Sequence, residues 1–224
     1  SEKSDNLSIV EINSETDFVA KNEEFIKFTQ DVASLASDNS GIMKNILLAK
    51  MQNKKTVEDN LISLIAKIGE KITIRRSDFL DAEGLMNFSY IHSPLKKNIG
   101  KIGVILSLKT EIKKDTLENF GKSLAMHIAA SSPLAIDKEG LDQEILNKEN
   151  EIITHELKNS GKDEKIISKI ATGKLNKFIS DNTLLNQEWI MEPKKKVKDI
   201  LKENAGKDLL EVKKFVRFKV GEGI

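Results

Sequence analysis

The chain has no cysteine, only three prolines, one tryptophan and one tyrosine, and aromatic residues make up 5% of its 224 positions. Without cysteine there is no disulfide, no thiolate metal ligand and no cysteine nucleophile, which fits a reducing compartment. Histidine is nearly as scarce. His92, His127 and His155 lie far apart and lack the i, i+4 or short-loop spacing of metal ligands, so no metal site is expected. An excess of charge is missing too: Lys and Arg total 36 against 35 Asp and Glu, a net charge of +1. That balance removes the long-range basic field behind most non-specific nucleic-acid binding, and no direct nucleic-acid contact is expected. No long apolar run exists to span a membrane, and Ser1-Glu2-Lys3-Ser4 does not open a signal peptide. The chain therefore reads as soluble and cytoplasmic, with an organellar matrix as the alternative.

Catalytic motifs are absent as well. There is no Gly-x-Ser-x-Gly elbow and no His-Glu-x-x-His helix, so no catalytic residue can be named. Phe120-Gly121-Lys122-Ser123 matches the second half of a phosphate-binding loop. The glycine required five positions earlier is Thr116, however, and the segment lies within a helical stripe, so helix packing is the better reading and no cofactor is expected.

What the chain has is 39% hydrophobic content, enough for one substantial core or two small ones, and 32% charged residues spread along helical patterns. Leu7 to Ile12 reads as a strand. A helix follows, with Asn22 as N-cap and Phe25, Phe28, Val32 and Leu35 as its stripe. Thr56 and Asp59 form a capping-box pattern before Val57, Leu61, Leu64, Ile65 and Ile68, and Gly69 stops that helix. Strands are expected around Ile72 and Ile74, Met86 to Tyr90, and Ile102 to Leu108, paired antiparallel across short turns. Leu117, Phe120, Leu124 and Ile128 mark a helix that Pro133 ends, with His127 at the edge of the stripe.

Residues 138 to 181 read as an antiparallel hairpin broken at Asn159 to Lys162, its seam drawn from Leu141, Ile145, Ile152, Ile166, Ile170 and Phe178. Pro193 is expected to open a helix through Val197, Ile200 and Leu201, before a last strand at Val216, Phe218 and Val220. The expected class is α+β: two small antiparallel-sheet-plus-helix subdomains with an inserted helical hairpin. The expected division is residues 1–110, then 111–136 with 182–224, with 137–181 as the hairpin.

Between the first strand and helix sits Thr16-Asp17-Phe18-Val19. Taken alone, Phe18 reads as ordinary core and Asp17 as a turn or cap residue, whereas an exposed Phe18 would mark a partner-binding anchor. The stretch Val10-Glu11-Ile12-Asn13-Ser14-Glu15-Thr16-Asp17-Phe18-Val19 resembles the signature of the elongation factor Ts family. Further matching stretches follow in the family's order: Ala66 to Glu70, Ile102-Gly103-Val104, Ala125 to Ala130, Leu175 to Phe178, Met191-Glu192-Pro193, and Phe215 to Gly223. Together they cover nearly the whole chain.

The resemblance implies a guanine-nucleotide exchange factor of translation elongation, not an enzyme, whose partner is elongation factor Tu. It implies that Asp17 and Phe18 wedge beside the nucleotide and Mg²⁺ site of that partner. It also places Thr16, Val19, Ile102, Gly103 and His127 against the same GTPase domain, and Ile190 and Met191 against another part of the partner. The family's hairpin often serves dimerisation as a coiled coil; the narrow seam leaves open whether it packs on itself or on a second copy. The chain begins in what resembles the linker after a small three-helix module, and the absence of Met at position 1 reads as trimming. The competing reading is a scaffold protein assembling through the hairpin, with the Thr-Asp-Phe-Val turn as core.

Overall fold

The structure, a computed structural model, describes residues 6–158 and 163–223; Ser1 to Asp5, the hairpin break at Asn159 to Lys162 and Ile224 lie outside the described residues. Along the chain run β1 (Leu7–Ser14), α1 (Asp17–Ala20), α2 (Glu23–Asp38), α3 (Met43–Leu48), α4 (Val57–Ile68), β2 (Ile72–Leu80), β3 (Met86–His92), β4 (Ile102–Thr110) and α5 (Lys114–Ser131). Then come α6 (Gln143–Lys158), α7 (Glu164–Asn182), a 3-10 turn (Leu184–Asn186), β5 (Glu188–Trp189), β6 (Glu192–Lys196), α8 (Val197–Ala205) and β7 (Leu210–Lys219). All pairings between these strands are antiparallel, and the class is α+β. Residues up to Ala129 together with those from Asp208 form one compact unit, and Ala130–Lys207 form a second.

Local signals set the helices of the first unit. Asn22 Oδ1 accepts the N–H groups of Glu24 and Phe25 to start α2. Thr56 and Asp59 close a reciprocal capping box on α4, and Gly69 ends that helix in the left-handed conformation at φ 79°. Both helices lay their apolar stripes on one face of the β1–β2 pair, where Phe25, Phe28, Val32 and Leu64 meet Ile12, Ile72 and Ile74.

The expected strands are present, but β2 pairs with β1 and β3 pairs with β4, so β2 and β3 are not hydrogen-bonded neighbours despite the short connection at Asp81 to Leu85. The cause is that both faces of the β1–β2 pair have apolar partners to cover. Its second face carries Ile9 and Leu80, which pack on Ile105 and Val216 of the β3-β4-β7 sheet. Gly103 allows that approach: a Cβ there would lie 3.0 Å from Ile9 Cδ1. On the other side of β3-β4-β7, α5 buries Leu117, Phe120, Leu124 and Ile128 as expected.

One carboxylate fastens this unit. The register shifts between Glu11 and Ile12, which stand opposite Arg76 and Ile74, so Arg75 is the extra residue of a β-bulge. Consecutive strand side chains ordinarily point to opposite faces, and the bulge turns both Arg75 and Arg76 toward Glu11. Arg75 Nη1 donates to Glu11 Oε1 at 3.0 Å and Arg76 Nε to Oε2 at 2.5 Å. Gly221 N–H donates to Oε1 at 3.1 Å, while Arg75 also donates to the carbonyls of Glu222 and Gly223, fixing the turn after β7. Glu11 is 2% exposed. Its burial alone would raise its pKa, but the hydrogen bonds from Arg75, Gly221, Arg76 and Asn13 together hold it below the ordinary value of 4.5.

In the second unit α6 and α7 form an antiparallel hairpin, with Leu146 and Leu141 beside Leu175 and Ile179, and Glu156 bonded to Lys174 at 2.7 Å. Its seam differs from the sequence reading: Ile153, Leu157 and Ile179 are buried, while Ile145, Ile152 and Ile166 are 37%, 53% and 50% exposed. Two apolar stripes one residue apart run along α6, and spacing alone does not choose between them. Pro193 also departs from expectation. It lies in β6 of the two-stranded β5–β6 ribbon, where an edge position tolerates a residue without an N–H, and α8 begins only at Val197.

Gly121 sits in the middle of α5 with its Cα against the Phe88 ring; an added Cβ would lie 2.4 Å from Phe88 Cγ. A mid-helix Gly→Ala change ordinarily stabilises by about 0.5–1 kcal/mol. Here Gly121→Ala is expected to destabilise by about 1–3 kcal/mol through overpacking, with Phe88→Leu in the same chain recovering part of the loss, read as urea midpoints. Glu11→Gln is expected to cost about 2 kcal/mol at pH 7, less than for a fully buried pair because both guanidinium groups remain partly solvated. Since the folded-state pKa of Glu11 is lowered, its contribution is complete above its unfolded value and disappears as pH falls through the folded one. The stability gap between wild type and Glu11→Gln should therefore be widest at neutral pH and narrow in urea titrations as pH falls below the ordinary Glu value of 4.5.

Candidate functional site

β1 ends at Ser14 opposite Ile72, the first residue of β2. The left-handed turn at Gly69 that ends α4 lies just before β2, so residues 15–17 come beside residues 70 and 71. Three side-chain ties follow. Thr16 donates its hydroxyl to both carboxylate oxygens of Glu70 at 3.0 Å and accepts the Val19 N–H at 3.4 Å, acting as N-cap of α1. The Glu15 carboxylate accepts the Lys71 N–H at 3.4 Å. Asp17, the first residue of α1, accepts from Lys101 Nζ at 3.0 Å. That bond, followed by the Coulomb attraction of the same ammonium, holds the Asp17 carboxyl below its ordinary value. Lys101 is itself fixed through its carbonyl, which accepts the Val220 N–H at 2.9 Å.

Within the tip, backbone bonds from Lys21 to Phe18 and from Asn22 to Val19 close the single turn. Val19 enters the core at 5% exposure, whereas Phe18 stands at 87%, the most exposed large apolar side chain among the described residues. This overturns the reading of Phe18 as core. Val19 takes the inward position of a four-residue helix, and its neighbour is left pointing away. Asp17 is likewise not the cap, since Thr16 fills that place.

The other sequence-named residues of this unit differ in access. Ile102 follows Lys101 and is half-buried. Gly103 is buried against Ile9 and Ile91. His127, expected at a helix edge, is 0% exposed. In this conformation neither Gly103 nor His127 offers a side-chain surface. In the second unit Ile190 and Met191 form the two-residue turn of the β5–β6 ribbon at 38% and 47% exposure, anchored by the buried Trp189. The contributors that sequence reasoning missed are Glu70 and Lys101. Glu70 lies inside one of the matched stretches and Lys101 borders another, but their link to Thr16 and Asp17 spans 54 and 84 positions.

Among the described residues no catalytic arrangement emerges. Gly121, Lys122 and Ser123 lie within α5, and Lys122 is paired with Glu118 one turn away at 2.7 Å. Among the described residues no group of His, Asp and Glu could hold a metal ion, and no helix is long and apolar enough to cross a membrane. What the turn presents is an exposed apolar side chain on a tied backbone, beside an ion pair.

Comparison with known proteins gives the family. The sequence model of a family described as Elongation factor TS matches residues 15–222. The chain is 41% identical over 221 residues to an Elongation factor Ts of Rickettsia massiliae (strain Mtu5), covering 96% of this chain and 71% of that protein. It matches that of Rickettsia felis to the same extent, and is 39% identical over 223 residues to that of Maricaulis maris (strain MCS10), covering 97% and 71%.

Proposed function

This chain belongs to the elongation factor Ts family, and from that premise we propose that it promotes GDP release from elongation factor Tu in the cytoplasm, with Phe18 and Asp17 as the wedge. The observation that carries the proposal is the 87% exposure of Phe18 on a turn whose neighbours are tied down. A core residue would be covered, and a merely exposed loop would not be fixed. Ile102 extends the surface around the tip. Gly103 and His127 act from behind it, by packing the strand and helix that a partner meets. Ile190 and Met191 form a second contact on the β5–β6 turn.

Exchange of this kind involves no covalent chemistry. The factor binds the nucleotide-free partner more tightly than the GDP-bound one, and linkage requires GDP to weaken the factor's binding by the same factor. Inverting a population from 1:99 to 99:1 takes about 5.5 kcal/mol of differential affinity. Burying one Phe contributes roughly 1.5–3 kcal/mol, so the second contact and the Asp17 carboxylate must share the work.

Elongation factor Tu loaded with a fluorescent GDP analogue and chased with unlabelled GDP tests the proposal. Phe18→Ala should reduce the acceleration by at least about ten-fold while leaving the urea midpoint unchanged, because the ring makes little contact in the free protein. Wild-type acceleration by Phe18→Ala would sink the wedge; failure of the unmodified chain to bind the partner would sink the exchange reading.

A second proposal concerns self-association. The exposed stripe of Ile145 and Ile152 on α6, with Ile166 on α7, supports a homodimer through the hairpin. Sedimentation should then show a dimer that Ile152→Glu converts to monomer without loss of helix content; a monomeric wild type at high concentration refutes it.

A further inference from the structure

A helix of four residues cannot hold itself in water, because nucleating one turn fixes several dihedrals for a single hydrogen bond. The geometry of α1 is therefore imposed by what surrounds it. Two side chains outside the tip supply the ties: Glu70, whose carboxylate takes the Thr16 hydroxyl with both oxygens, and Lys101, whose ammonium takes Asp17. Each of these residues stands on fixed backbone. Glu70 follows the left-handed cap of α4, and Lys101 is bonded to Val220 in the segment after β7. They grip the first two residues of one turn, Thr16 as cap and Asp17 as first helical residue, directly before Phe18.

We propose that Glu70 and Lys101 are positioning residues that hold α1 in the geometry presenting Phe18, an inference that rests on the exchange function proposed above. Neither side chain is required to touch the partner. Asp17 remains 75% exposed and Lys101 66% exposed in their ion pair, so the pair leaves the second Asp17 oxygen open while fixing where the tip points. Loss of either tie lowers the fraction of molecules with the tip in place. Apparent affinity then falls by that fraction, while the rate at saturation is kept.

The test compares Glu70→Ala and Lys101→Met with the conservative Glu70→Gln and Lys101→Arg, which keep an acceptor and a cation respectively. In GDP-release assays with elongation factor Tu, each disruptive variant should raise the KM for the GDP-bound partner about five-fold at unchanged maximal rate, as suits an exposed tie. The conservative variants should restore it. In a Phe18→Ala background the effect of removing either tie should vanish, since the ties act through Phe18. A KM that stays at the wild-type value, a KM that falls, or an undiminished effect without Phe18 would each overturn the proposal.

Amide exchange on the chain alone gives a readout independent of the partner. Val19 and Ala20, the amides bonded to Thr16, should exchange about five-fold faster in Glu70→Ala and Lys101→Met. Should the unmodified chain fail to accelerate GDP release, the exchange reading falls and this measurement still decides the positioning. Unchanged exchange at both amides would refute it.

Discussion

Glu11 sits in the middle of β1 with its carboxylate out of water, and two guanidinium groups and a backbone N–H converge on it. A buried carboxylate is costly unless its lone pairs are filled, so the unit folds only in a register that brings all of these donors together. Moving β2 by one residue would break the bulge and turn one arginine away. The same carboxylate binds the Gly221 amide, and the segment it fixes also bonds Lys101, which in turn grips Asp17. The exposed tip is thus tied, link by link, to a charge at the centre of the unit.

The distribution of basic residues follows from this. Three arginines occur among 36 basic residues, and all three serve this region. Arg75 and Arg76 hold Glu11, Arg76 also stacks 4.2 Å from the centre of the Phe218 ring, and Arg217 bonds the Ala129 carbonyl and the Glu222 carboxylate. Lysine, a flexible point charge, cannot make forked bonds to a carboxylate and two carbonyls at once or lie flat on a ring. In a chain that otherwise relies on lysine, arginine appears where planar, multiply bonded cations are required.

Sequence reading recovered what local physics decides. The Asn22 cap, the Thr56–Asp59 box, the Gly69 stop and the α5 stripe each involve residues within one or two turns of one another, and each is present. The α+β class and the strands were legible for the same reason. What escaped depends on partners far along the chain. The β-bulge that gathers Arg75 and Arg76 is set by Glu11, 64 and 65 positions away. The choice between Ile152 and Ile153 as the buried residue of α6 depends on where α7 lies. Phe18 was misjudged without the family resemblance because exposure in a turn follows from how the chain leaves β1, and a single aromatic has no periodicity to report it. Resemblance pointed to Asp17 and Phe18, but it named His127 and Gly103 alongside them without distinguishing buried positions from exposed ones.

The rigidity of the tip matters as much as its exposure. Ordering one residue's backbone costs about 1–2 kcal/mol, so a four-residue turn formed only on contact would cost about 4–8 kcal/mol. That is as large as the roughly 5.5 kcal/mol of differential affinity that exchange demands. A loose Phe18 would forfeit most of what its burial and the accompanying contacts provide. With the turn capped by Thr16, tied through Glu70 and Lys101 and carried on a strand that Glu11 locks in register, the ordering cost falls on the folding of the chain instead of on binding. An apolar ring left in water gives up the stabilisation its burial would bring, and a fixed backbone beneath that ring is what the proposed role in binding a partner requires.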